Sequence, residues 1–230
     1  MHTLLLRLSG PLQSWGSDSL YDNRDTDYFP TKSAVIGMIA AAFGRGREES
    51  CEDLNSLKFG VRIDNQGTRI RDFQITDMGE RLNKNLSTRV YLSDATFLVG
   101  LSSKNIELLK EIQKALHNPK FSLFLGRKAC PPTLPLELGI QDEDLYKTLF
   151  GHEWLVSDFQ AKKILNRRKS VLLRIIVEEE GGALKKDAPI SFKSTYRQYG
   201  YRYCKDMPGK EITEAAFGET EHDPMRELEG

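Results

Sequence analysis

Residues 3–8 (TLLLRL) form a nearly unbroken apolar run that Ser-Gly-Pro stops, the pattern of a buried strand. A second block, ending at residue 43, carries Val35, Ile36, Ile39 and Phe43 as a wide apolar stripe beside Gly37, Ala40, Ala41 and Ala42. With Thr31 or Ser33 as cap and Gly44 as terminator, it predicts a closely packed helix. A short acidic helix follows over 48–57, then strands over 58–64 and 68–76. Residues 88–101 predict one strand, and 103–116 an amphipathic helix with Ile106, Leu109, Ile112 and Leu116 on one face and Ser102 or Ser103 as cap. Asn118-Pro119 ends that helix, and FSLFL (121–125) predicts a returning strand.

The resulting order, β-α-β-β-α-β over residues 1–130, is the ferredoxin-like arrangement of the α+β class, an antiparallel sheet backed by two helices. Beyond it come prolines at 131, 132 and 135, an acidic and partly helical segment over 142–159, and a strand over 171–179 turned by Gly181-Gly182. The remainder reads as loop and short strand, with tyrosines interleaved with basic residues, ending in a polar tail.

The segment joining the first strand to the first helix is long and polar, as binding loops and disordered segments are. Leu12, Trp15, Leu20, Tyr21, Tyr28 and Phe29 give it apolar anchors, which argues against disorder. Gln13, Ser14, Trp15, Arg24, Thr26, Thr31, Lys32 and Ser33 mix amide, hydroxyl, aromatic and cationic groups. That mixture suits a sugar–phosphate chain with exposed bases. Free backbone N–H groups near Lys32 and Ser33 add a natural phosphate seat at the helix start.

Several positions read two ways. Trp15 fits a base-stacking platform and a loop anchor alike. Arg45 and Arg47 follow a helix C-terminus, where cations offset the dipole, and are equally placed for RNA. Arg89 and Tyr91 share one strand face: on an open face they meet phosphate and base, on a covered one Tyr91 is core. Gly126, Arg127 and Lys128 leave a strand end, where a glycine permits close backbone approach. Arg62, Arg69, Arg71, Arg81 and Lys84 mark a protruding hairpin, either a solvated ribbon or a nucleic-acid grip. The basic run at 162–169 fits a solvated face, a DNA contact or a subunit contact.

Thirty-three basic and thirty-three acidic side chains cancel, so global charge does not argue for nucleic acid. The distribution is uneven: residues 161–210 hold 13 Lys/Arg against 5 Asp/Glu, while residues 131–160 balance to −5 and 211–230 to −6. Such a chain can bind a polyanion locally. Cys51, Cys130 and Cys204 are scattered, as are His2, His117, His152 and His222, so neither a disulfide framework nor a zinc spacing exists. No metal or cofactor is expected, no run is long enough to cross a bilayer, and a cytoplasmic protein is expected.

GPLQSWG (10–16), Arg24-x-Thr26, FPTKSAVIGMIAAAFG (29–44), TRVYLSDATF (88–97) and FLGRKACPPTLPL (124–136) resemble, in this order, the CasD family. This is the subunit of the type I-E CRISPR Cascade surveillance complex that holds the crRNA 5′ handle, within the RAMP superfamily. The resemblance implies a modified RNA-recognition-type fold: an RNA-binding domain over 1–130 with a thumb hairpin around 62–90, and a smaller β-rich extension over 131–230 with an acidic tail. It implies a non-catalytic antiviral role, capping the handle and helping to assemble the ribonucleoprotein. The implied partners are crRNA, the repeated backbone subunit, the large subunit, and target double-stranded DNA read through guide pairing. The expected RNA-binding residues are Gln13, Ser14, Trp15, Arg24, Thr31, Lys32, Ser33, Arg45, Arg47, Arg89, Tyr91, Gly126, Arg127 and Lys128.

The competing reading is a metal-independent endoribonuclease that processes CRISPR repeat RNA. Such a cut needs a general base and a cation for the developing charge. Tyr, Lys and His all occur, but no motif gathers them, and His117 sits at a predicted helix end. A third reading is an assembly protein whose loop binds protein alone; the alternating cations and hydroxyls argue against it.

Overall fold

The computed structural model describes residues 1–16, 23–76 and 85–213. β1 (His2–Ser9) leads into two short strands, β2 (Leu12–Gln13) and β3 (Asn23–Arg24), then α1 (Lys32–Phe43) and the single-turn α2 (Glu52–Asn55). Next come β4 (Lys58–Asn65), β5 (Thr68–Thr76), β6 (Asn85–Ser93), β7 (Thr96–Ser103) and α3 (Ile106–His117). β8 (Glu137–Gln141), α4 (Leu145–Gly151) and α5 (Asp158–Leu165) precede two long strands, β9 (Ser170–Ser191) and β10 (Gln198–Thr213). The loop anchors Leu20 and Tyr21, the hairpin cations Arg81 and Lys84, and the acidic tail with His222 lie outside the described residues.

Six strands form one antiparallel sheet in the order β10-β9-β4-β7-β1-β8. Alternate side chains divide between its faces. Leu4, Leu6 and Leu8 of β1 join Phe59, Val61, Phe97, Val99 and Leu101 under α1 and α3. Leu5 and Leu98 face the other way, against Leu145 and Leu149 of α4 and Ile175 of β9. Cover on both faces explains the unbroken apolar run at 3–8, since a strand with one wet face would alternate.

A second sheet is built around β6. β5 pairs antiparallel along one edge, from Thr68 opposite Ser93 to Thr76 opposite Asn85. On the other edge β2 pairs antiparallel (Gln13 with Leu92) and β3 pairs parallel (Arg24 with Arg89). The long loop therefore leaves β6 and returns to the same edge.

α1 starts as expected: Thr31 is the cap, its hydroxyl accepting from Ala34 N–H, and Gly44 closes the helix at φ 78°. Several expectations change, among them the turn at Gly181-Gly182, through which β9 continues to Ser191. The strand read over 88–101 is two strands, broken after Ser93 where Asp94 takes φ 55° and the chain crosses between sheets. The cap of α3 is Asn105, whose side chain accepts from Glu107 and Leu108 N–H, because Ser102 and Ser103 finish β7. Residues 121–125 are not a strand; Lys120 and Phe121 N–H bond to the Ala42 and Ala41 carbonyls at the end of α1, and Leu125 plugs into the core. The strand that borders β1 is β8 instead. Finally, the tail of short strands is one sixteen-residue strand, β10, whose polar outer positions hide its extent, and α5 takes in the start of the basic run at 162–169.

Candidate nucleic-acid interface

The two limbs of the long loop are fastened together. Trp15 N–H donates to Thr26 Oγ1 at 2.7 Å, and Asp27 N–H to the Trp15 carbonyl at 3.0 Å. Trp15 is fully buried, with its indole N–H on Gln13 Oε1 at 3.1 Å, and the Gln13 amide donates to the Ala95 carbonyl at 2.7 Å. Ser14 Oγ donates to the Val90 carbonyl at 3.3 Å. Of its two readings, then, Trp15 is placed as the loop anchor. The polar side chains read as RNA ligands at 13–15 face inward, and they set the loop's shape.

At the start of α1 one of the N–H groups expected to be free is already engaged. Lys32 N–H donates to Asp187 Oδ2 at 3.1 Å, so a carboxylate from β9 takes the place foreseen for phosphate. Lys32 Nζ lies 2.9 Å from Glu178 Oε2 and the residue is 2% exposed. Burial pushes its pKa below the ordinary value while Glu178 pulls it up. Asp187 also accepts both arms of Arg202, at 2.5 and 2.9 Å, and Arg202 lies 5.0 Å from the Phe59 ring centroid. Thr31 and Ser33 are buried beside this network. Sequence reasoning missed Glu178, Asp187 and Arg202; the signal was a carboxylate and an arginine inside long strands, where an unpaired charge is costly.

A cationic face lies around β6. Arg24 and Arg89 are register partners in the parallel pair, and Tyr91 follows two positions along β6, so the three side chains share a face. The loop 124–130 closes over it. Ser14 N–H donates to the Leu125 carbonyl, and Gly126 lies so close that a Cβ there would stand 1.6 Å from the Ser14 carbonyl oxygen. Its φ of 85° is the left-handed conformation that favours glycine. This turn lays Arg127 over Tyr91, with its guanidinium carbon 4.7 Å from the ring centroid and Nη2 donating to the Arg24 carbonyl at 2.9 Å. Tyr91 is 5% exposed, so the face is covered at that point and Tyr91 is core. Arg24 and Lys128 are exposed, and Arg89 and Arg127 are half-buried.

Other sequence-read cations sit apart. Arg45 is held by both oxygens of Asp53, at 2.6 and 2.5 Å, which raises its pKa. Arg47 is exposed beyond α1. Arg62 does not belong to an exposed grip: it is fully buried, paired with Asp64 at 2.7 Å and donating to the Leu149, His152 and Glu153 carbonyls. Arg69 pairs with Asp25 and stacks on Tyr28 at 4.8 Å, and Lys185 pairs with Asp27 at 3.0 Å, so two strands tie down the returning limb of the loop. His117 stands at the end of α3, with Nδ1 3.1 Å from the Gln113 carbonyl and Nε2 3.4 Å from Glu137. Among the described residues no group of His, Cys, Asp or Glu is arranged to hold a metal, and no helix is long and apolar enough to cross a membrane.

A family model described as CRISPR-associated protein (Cas_Cas5) matches residues 3–205, nearly the whole chain. The chain belongs to the Cas5 family of CRISPR-associated proteins. It is 34% identical, over 182 residues, to the CRISPR system Cascade subunit CasD of Escherichia coli (strain K12), spanning 70% of this chain and 81% of that protein. Among solved structures it is similar to one described as a Cas protein, with a TM-score of 0.70 and 38% identity over 90% of this chain and 94% of the other. A chain from a CRISPR RNA-guided surveillance complex matches with a TM-score of 0.73 and 30% identity over 93% and 92%. The family match spans both the long loop and β9 of the Cas5 chain, and ends within β10.

Proposed function

We propose that this Cas5 protein is the non-catalytic RNA-binding subunit of a type I-E Cascade surveillance complex, where it caps and holds the 5′ handle of crRNA. The observation that carries the reading is the cationic face of β6. Arg89 of β6 and Arg24 of β3 are register partners there, and Arg127 reaches Arg24 from the 124–130 loop that also carries Lys128; the two loops are fastened through Trp15, Gln13 and Gly126. Preformed cations on a rigid loop bind a phosphodiester chain without a large ordering cost. Similarity to CasD and to a chain of a surveillance complex supports this reading. In it, crRNA and the backbone and large subunits are neighbours, and target DNA is read by the guide in the cytoplasm.

Among the expected RNA contacts, the exposed cations have the principal role in this proposal, with Arg45 and Arg47 as a flanking group. Gln13, Ser14, Trp15, Thr31, Lys32, Ser33, Tyr91 and Gly126 act by shaping the backbone that the RNA meets. The fold supports a ferredoxin-like core, because β1-α1-β4-β7-α3-β8 has the sheet order β4-β7-β1-β8. The β5–β6 hairpin takes the part of the thumb. Ultraviolet crosslinking of crRNA in the purified complex tests the whole reading. Peptides containing Arg24, Arg89 or Arg127–Lys128 should carry nucleotides from the handle; handle crosslinks confined to other subunits would overturn it.

A further inference from the structure

Two guanidinium groups on the β6 face have donors without acceptors. Arg127 Nη2 is bound to the Arg24 carbonyl, but Arg127 Nη1 is buried and meets no acceptor among the described residues. Arg89 Nε is in the same condition. Both side chains belong to one spot: Arg89 shares its strand face with Tyr91, and Arg127 lies on the Tyr91 ring. A folded protein rarely leaves two cationic donors desolvated and unpaired together. Asp72, which faces Arg89 across the β5–β6 pair, accepts from Gln74 and forms no ion pair with Arg89, so among the described residues the two donors lack an anionic acceptor with oxygens pointing two ways.

We infer that Arg89 and Arg127 form a seat for a single backbone phosphate, with Tyr91 as the floor that holds Arg127 flat. This deepens the handle-binding reading and rests on it. A phosphodiester offers two non-bridging oxygens, one for each donor, and fork-shaped guanidinium groups match them better than an ammonium would. Tyr91 is then a positioning residue and does not stack on a base, since Arg127 covers its ring. The neighbouring base can stack instead on the outer plane of Arg127.

The test uses the full chain and handle RNAs in which one phosphate at a time is replaced by a neutral methylphosphonate. For the wild type, one position should weaken binding about tenfold or more, the size of a charge-assisted contact. In Arg89→Gln and in Arg127→Gln the same replacement should cost clearly less than in the wild type, and in the double variant nothing further, while the other positions keep their cost. Tyr91→Phe should bind as the wild type, and Tyr91→Leu should behave like Arg127→Gln at that one phosphate with its melting midpoint recorded alongside. RNA that binds with every position additive in both arginine variants overturns the seat and leaves handle binding standing. RNA that does not bind the wild type overturns both.

Discussion

Lys32 Nζ lies 2.9 Å from Glu178 Oε2, joining the first turn of α1 to the middle of β9 across 146 positions of sequence. Lys32 is 2% exposed, so its ammonium is held by this chain and not by solvent. Removing one partner leaves a charge buried without compensation, whereas replacing both by apolar groups does not. Glu178→Ala should therefore destabilise the fold by about 3 kcal/mol, and Lys32→Met with Glu178→Leu should recover most of it, read by urea unfolding. Handle RNA affinity of the double variant should match the wild type; a tenfold decrease would return Lys32 to the RNA-binding residues.

The same residue gives a pH dependence. Burial holds the folded-state pKa of Lys32 below its ordinary 10.5, against the opposing pull of Glu178. Between the lowered folded value and 10.5 the unfolded chain binds more protons than the folded one, so stability from this group rises with pH. Below that window the cost of burying the ammonium is fully present. The stability difference between wild type and Lys32→Met should thus move in favour of the wild type as pH climbs toward 10.5. A flat or opposite trend would show that Glu178 outweighs burial.

Much of the core was legible because its periodicity is strong. The run at 3–8 answered to burial on both faces of its strand, and the stripe of α1 and the face of α3 to burial at helical spacing. The break at Asp94 was not legible, because only Ser93 and Asp94 interrupt the apolar pattern, which resumes at Ala95 and Phe97 as the chain passes from one sheet to the other. Nor was the absence of a strand at 121–125: Leu125 is apolar because it anchors a loop, and local pattern does not separate that from a strand. Around β6 and the start of α1, the direction of the side chains was what the sequence did not show. Gln13, Ser14 and Trp15 look like ligands by type and serve as fasteners, since hydrogen-bonding groups suit a backbone carbonyl as well as a ribose. Whether Lys32 met phosphate or carboxylate depended on Glu178 and Asp187, distant positions that no local window includes.

Arg62 shows how a cation in a basic-looking segment can be structural. It is fully buried with Asp64, and its remaining donors close the C-terminal end of α4 through the Leu149 and His152 carbonyls. Asp64 in turn accepts from Leu155 N–H, and its carbonyl from the Trp154 indole. Asp64→Ala should cost about 3–5 kcal/mol by leaving the guanidinium unpaired, seen as a large fall in the urea midpoint. RNA binding through Arg24 and Lys128 should be unaffected in whatever fraction remains folded.

Exposed cations should show the reverse signature. Arg24→Gln and Lys128→Gln leave the packed core untouched, so urea midpoints should shift by no more than about 0.5 kcal/mol equivalent. Removing a cation that neutralises one phosphate should instead lower the slope of log affinity against log salt by about 0.7, the single-strand value. Lys32→Met with Glu178→Leu, measured in parallel, should leave that slope unchanged. Equal slopes across all variants would mean that the β6 face meets no phosphate.

Gly126 couples the fold to the site. A methyl group there would meet the Ser14 carbonyl oxygen at 1.6 Å, and the backbone at φ 85° already disfavours a side chain. Gly126→Ala must therefore push the 124–130 loop away from Ser14, which breaks the Ser14 N–H bond to Leu125 and lifts Arg127 off Tyr91. The cost to folding is about 1–3 kcal/mol, because Gly126 is exposed although Leu125 and Cys130 of the same loop are core, whereas the proposed RNA site would lose the alignment of a principal cation. Handle affinity should fall about tenfold or more, a larger fractional decrease than Lys128→Gln causes. A Gly126→Ala variant with full affinity would show that Arg127 reaches RNA without the turn that now places it.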